Sequence, residues 1–74
     1  MNQEKAIVHL NKFKNLRNSR IKDTMSGATY VVLKPRLEKT SEDDYRVVVM
    51  VTNEMTGLEQ EFNSEYANSF FKEI

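Results

Sequence analysis

The chain has 74 residues, no cysteine, one histidine, and 11 acidic against 11 basic side chains, for a formal net charge of zero. One small domain spanning 1–74 follows, and disulfides and thiolate metal sites are excluded. The apolar runs fall far short of the roughly 20 residues a membrane-spanning helix needs, so a soluble, cytoplasmic protein is expected.

The first segment, residues 3–17, reads as a helix. Ala6, Leu10 and Phe13 recur at helical spacing, flanked by Ile7 and Leu16. Residues 19–27 read as a connector that breaks at Met25-Ser26-Gly27. Residues 28–37 form a strand rich in Tyr30, Val31, Val32 and Leu33. Pro35 lacks a donor N–H and places this strand at a sheet edge. A polar loop follows at 38–44. Residues 45–52 form a second strand that is apolar on both sides. Asn53-Glu54-Met55-Thr56-Gly57 is a turn, with Gly57 in the left-handed position of a hairpin bulge. Residues 58–62 form a third strand, and Asn63 or Ser64 caps a last helix that runs to about Lys72. The fold class is α+β, in the order α-β-β-β-α: two helices and a three-stranded antiparallel meander with 45–52 in the middle, and no internal repeat.

Strand alternation sorts the side chains into two faces. With Leu37 opposite Tyr45, one face carries Val31, Leu33, Leu37, Tyr45, Val47, Val49 and Val51. The other carries Tyr30, Val32, Val48, Met50, Leu58 and Phe62. A one-residue slip of the first strand would reassign its side chains. Two helices cover one face well and leave the other open, and open apolar faces mark interfaces. The expectation is a homodimer joined through Tyr30, Val32, Val48 and Met50.

Overall neutrality conceals a polarity. Residues 1–39 hold nine bases and three acids, a net of +6, and residues 40–74 hold two bases and eight acids, a net of −6. Such asymmetry points to charged partners. The acids expected to contact a basic partner are Glu42, Asp43, Asp44, Glu59, Glu61 and Glu65. The cations available for phosphate contact are Lys12, Lys14, Arg17, Arg20, Lys34, Arg36 and Arg46. No glycine-rich phosphate loop or paired catalytic carboxylates appear, and His9 reads as a surface or boundary residue of the first helix. Glu42-Asp43-Asp44 lacks the ligand spacing and glycine of a calcium loop. No enzyme activity, cofactor or metal is expected.

The α-β-β-β-α order resembles the double-stranded-RNA-binding domain. That family uses a histidine in the loop between its first two strands and lysines at the start of its last helix. Here the loop is Lys39-Thr40-Ser41-Glu42-Asp43-Asp44 and the helix opens Ser64-Glu65-Tyr66-Ala67, so RNA binding is not carried over. In size, absence of cysteine and charge patterning, the chain also resembles the small early proteins with which phages disable host machinery, including inhibitors of the bacterial DNA polymerase III sliding clamp. That resemblance implies a dimer, in an infected bacterial host, that binds the ring-shaped clamp and keeps it off DNA. The alternative is a small nucleic-acid-binding protein that uses the basic N-terminal half.

Overall fold

In the computed structural model, which describes residues 1–74, the Asn2 side chain accepts the Lys5 amide at 2.8 Å and starts helix α1, Gln3–Asn15. Glu4 in its first turn and Lys12 and Lys14 in its last suit the helix dipole. The chain reverses at Asn18, which is held in the left-handed region at φ 68°. The Asn18 amide donates to the Val32 carbonyl at 2.8 Å, and the Val32 amide donates to Ser19 at 3.0 Å. The sheet therefore begins inside what reads as a connector.

Five strands and a second helix follow: β1 (Arg20–Asp23), β2 (Thr29–Ser41), β3 (Asp44–Asn53), β4 (Glu59–Asn63), α2 (Ser64–Phe70) and β5 (Phe71–Glu73). Every pairing is antiparallel, in the order β4-β3-β2-β1-β5. The α+β class and the two helices stand as expected. The expected three-stranded meander is β2-β3-β4, and it is part of a larger sheet. β1 lies in the expected connector, and β5 takes residues assigned to the end of the last helix.

β2, not β3, is the middle strand, which corrects the edge placement inferred from Pro35. The reason is local. β1 pairs with β2 only at Thr29, Tyr30 and Val31. Past Val32 the β1 side of β2 has no partner strand. Pro35, opposite Val49 on β3, occupies this locally open edge, where its missing N–H breaks no ladder.

A bulge decides the faces. Val32 pairs with Val51 and Lys34 with Met50, so Leu33 is the extra residue. Tyr30 and Val32 consequently share a face with Val47, Val49 and Val51, beneath both helices, and all five are buried. Val31 and Leu33 go with Val48 and Met50 to the face without helices. The expected grouping of Tyr30 and Val32 with Val48 and Met50 is overturned. Tyr30 and Val32 are core residues at 4% and 0% exposure and have no surface left for a dimer contact.

The core joins Phe13 of α1 and Ala67 of α2 to Ile21, Tyr30, Val32, Val49 and Val51, with Phe62 and Phe71 packed against it. Fully burying each aliphatic side chain contributes about 1.5–3 kcal/mol. Phe62 meets Tyr30 and Phe71 edge-on at centroid separations of 5.3 and 5.0 Å. These contacts tie β4 to β5 across the sheet beneath α2.

The β1–β2 and β3–β4 turns are copies of one another. Asp23-Thr24-Met25-Ser26-Gly27 and Asn53-Glu54-Met55-Thr56-Gly57 share one hydrogen-bond scheme. The side chains of Asp23 and Asn53 each accept the amide two residues on at 2.9 Å, those of Met25 and Met55. The Ser26 and Thr56 hydroxyls each accept the amide two residues on at 3.2 Å. Gly27 and Gly57 close each turn at φ 78° and 72°. The left-handed Gly57 is as expected, and the break read at Met25-Ser26-Gly27 is a second turn of the same kind. Both turns lie at the same end of the sheet, where the Glu54 amide donates to the Thr29 carbonyl at 3.0 Å.

Candidate functional site

The six expected partner-contacting acids are all exposed, but they form two groups. Glu42 and Asp43 are the tip of the β2–β3 hairpin. Asp44, beside them, is committed internally. Its Oδ1 accepts the Met1 ammonium at 2.7 Å and its Oδ2 accepts the Thr40 hydroxyl at 2.7 Å. These hydrogen bonds, the ammonium first, hold the Asp44 carboxyl below the usual range. Glu59 and Glu61 lie on edge strand β4, and Glu65 lies in the first turn of α2. Thr52, the partner of Glu59, lies eight positions along β3 from Asp44. Glu61 lies opposite Met50, six positions from Asp44, so at about 3.3 Å per residue Glu59 and Glu61 stand roughly 26 and 20 Å along the sheet from the hairpin end.

The seven expected phosphate contacts are more divided. On the face without helices, Arg36 Nε donates to Glu38 and Nη2 to Glu61, both at 2.7 Å, and Arg46 Nε donates to Glu38 at 2.6 Å. This network stitches β2, β3 and β4 together. It raises the Arg36 guanidinium above its ordinary value and lowers Glu38 and Glu61. Arg20 clasps Glu54 with two bonds of 2.9 and 3.1 Å. Lys12 donates to Asn68 on α2 and lies over the Phe13 ring. Lys14, Arg17 and Lys34 have no ion-pair partner.

The sequence places Lys22 in the basic run that follows the first helix, but sequence reasoning missed Lys72. The two lysines sit directly opposite one another across β1 and β5, on the open face with Arg20. Neither has an ion-pair partner. Like charges directly opposed on adjacent strands destabilise a sheet. Lys72 belongs to the acidic half of the sequence, and the docking of β5 on β1 carries it to the basic side. The polarity in space therefore runs across the sheet, from acidic β4 at one edge to basic β1 and β5 at the other. A depression of about 420 Å³ on this face is bordered by Arg17, Leu33, Lys34, Met50 and Glu59. Tyr30, Phe62, Tyr66 and Phe71 all pack on the helix side, so the open face offers no aromatic platform for stacked bases.

His9 is not a surface residue. It is 6% exposed, and its Nδ1 lies 2.8 Å from the Oγ of Ser64, which is fully buried at the start of α2. Burial first, then the Lys5 and Lys12 charges, push the imidazole below its ordinary value, partly opposed by Glu65. A serine hydroxyl with no exposed surface cannot meet a substrate, so the pair acts as a strut between the helices. The other buried polar group is Asp23, which accepts the Tyr66 hydroxyl at 2.8 and 3.1 Å. No cluster of three or more potential metal-ligating side chains is present, and no helix is long and apolar enough to cross a membrane.

Comparison with protein-family models, curated proteins and solved structures finds no match for the chain.

Proposed function

We propose that this protein is a binding inhibitor, not an enzyme: a phage-encoded protein that binds a host DNA-replication protein, the sliding clamp of DNA polymerase III, and blocks its access to DNA. The observation that carries this reading is the presence of exposed acids with no internal partner, Glu42 and Asp43 at the tip of a long hairpin and Glu59 on an edge strand. A ring that encircles DNA presents a basic channel. Exposed, uncompensated carboxylates complement such a surface and steer association to it. Capture from a nuclease-treated bacterial lysate tests the reading. It predicts retention of the clamp without DNA, and retention of nothing, or of nucleic acid alone in an untreated lysate, counts against it.

A second reading rests on the opposed Lys22 and Lys72. An unpaired basic edge, with Arg17 and Lys34 farther along the same face, suits the phosphate backbone of a nucleic acid. The lack of an aromatic platform on that face restricts it to sequence-independent contact. A gel shift at low salt separates the two readings.

A further inference from the structure

Strand β5 is held on one face of the sheet and opposed on the other. On the helix side, Phe71 packs against the core, its ring 5.0 Å from that of Phe62. Two backbone bonds flank the pairing with β1. The Thr24 amide donates to the Phe70 carbonyl at 2.9 Å, and the Ile74 amide donates to the Arg20 carbonyl at 3.1 Å. On the face without helices, Lys72 lies opposite Lys22. Cross-strand partners have Cβ atoms about 4.5–5.5 Å apart, and like charges so placed repel. Alternation turns the neighbouring acids away from this pair. Asp23 is buried on the helix side against the Tyr66 hydroxyl, and Glu73 is the partner of Ile21, buried on that same side. Arg20, two residues before Lys22, is already neutralised by Glu54. Both lysines are exposed and without an ion-pair partner.

We infer that Lys22 and Lys72 form a phosphate-binding clip, and that a phosphate group bridging them fastens β5 to β1. A phosphate group offers an unesterified oxygen to each ammonium and supplies the missing counter-charge. Bridging needs both strands in place. When β5 leaves β1, Lys72 leaves Lys22, and the anion keeps only one of its two contacts. Phosphate therefore binds the docked form more tightly than the released form. By mass action it shifts the population toward docking. The clip rests on the second reading insofar as that reading brings phosphate to this edge. What it adds is the pair of residues that hold the anion and the change the anion makes to the fold. The ligand is a phosphate group with free oxygens, carried by a nucleic-acid backbone or present as inorganic phosphate.

β5 is the element such a ligand can move. It has three residues, and Phe71 is the one side chain it packs against the core. Short edge elements with few buried contacts open first. Occupancy of the clip is therefore read at the amides of Thr24 and Ile74, and not in β3, which lies two strands from β1.

Amide hydrogen exchange of the full chain tests the clip, in sodium phosphate against sodium chloride at matched pH and ionic strength. At about 20 mM phosphate, exchange at Thr24 and Ile74 should slow at least about twofold, with β3 unchanged. Lys72→Glu gives Lys22 a counter-charge within the sheet. In that variant the same two amides should exchange slowly without phosphate and be indifferent to it. Lys14→Gln removes an unpaired lysine on α1 and should keep the full response. A single-stranded oligonucleotide at low salt separates the two sources. If it slows Thr24 and Ile74, backbone phosphate occupies the clip. If inorganic phosphate alone slows them, the clip stands and the second reading falls. No slowing with either ligand overturns the clip, even where the oligonucleotide binds and the second reading survives. A phosphate effect spread evenly over the sheet is a general salt effect and also overturns it, as does a response that persists in Lys72→Glu.

Discussion

His9 Nδ1 and Ser64 Oγ, 2.8 Å apart and 55 residues apart in sequence, join the middle of one helix to the first residue of the other. Neither has appreciable contact with water. Removing one partner strands the other, so Ser64→Ala should cost about 1–3 kcal/mol in urea unfolding. A double-mutant cycle with His9→Gln should show coupling, because the two residues share one bond.

The same pair predicts a pH response. The unfolded imidazole takes a proton near pH 6.5, while the folded one, held low by burial, does so only at lower pH. Between those values the unfolded chain binds more protons, and stability falls with acidification. Glu38, Asp44, Glu54 and Glu61, all lowered by their partners, add a separate loss below about pH 4.5. Thermal melts from pH 7.5 to 4 should show both phases, and His9→Gln should remove only the first.

Asp23 and Tyr66 form the second buried polar contact. Tyr66→Phe should cost about 1.5–3 kcal/mol, the worth of a hydrogen bond to a charged group. The hydrogen bond to Asp23 also raises the Tyr66 phenol above its usual value, with burial adding to it. That stabilisation is complete below pH 10 and is lost as the pH rises through the folded value. Ultraviolet titration of the wild type should show late ionisation of Tyr66, a component that Tyr66→Phe removes.

The duplicated turns predict equal penalties. An added Cβ at Gly27 or Gly57 meets nothing within 4 Å, so alanine at either site costs only the left-handed backbone, about 1–2 kcal/mol. Asparagine should cost less at both. Penalties differing by more than about 1 kcal/mol between the two sites would show that the turns are not energetically equivalent.

The acidic tip separates binding from folding. Glu42→Lys/Asp43→Lys should leave stability within about 0.5 kcal/mol of wild type, since neither side chain has a partner. Asp44→Lys should lower stability, because Met1 and Thr40 lose their acceptor. Calorimetric melts of the two variants distinguish these outcomes.

The elements legible in the sequence were those with strong local signals. α1 carries helical periodicity, β2 and β3 carry apolar runs separated by a polar loop, and β4 is marked by the glycine turn before it and the capping Asn63 after it. β1 escaped because its four residues, Arg-Ile-Lys-Asp, show one apolar side chain, and its alternation uses a buried aspartate in place of a hydrophobe. β5 escaped because Phe71 continues the helical stripe of Phe70, and only pairing with β1 draws it into the sheet. The faces of β2 were undetermined because Tyr30-Val31-Val32-Leu33 has no alternation to fix a register. The bulge at Leu33 then follows from tertiary packing. At the surface, the exposed acids were legible as charges. Which of them were already engaged, as Asp44 and Glu61 are, depends on contacts from distant parts of the chain. Lys22 and Lys72 became neighbours only through β5.

Binding of the purified protein to a purified bacterial sliding clamp, with DNA as competitor, tests the proposed inhibition most directly. Saturable binding is predicted, weakening as salt rises, excluded by DNA already inside the ring, and reduced at least about tenfold by Glu42→Lys/Asp43→Lys. Absence of binding at micromolar concentration would contradict the proposal. So would binding that leaves DNA loading untouched and is indifferent to reversal of the tip acids.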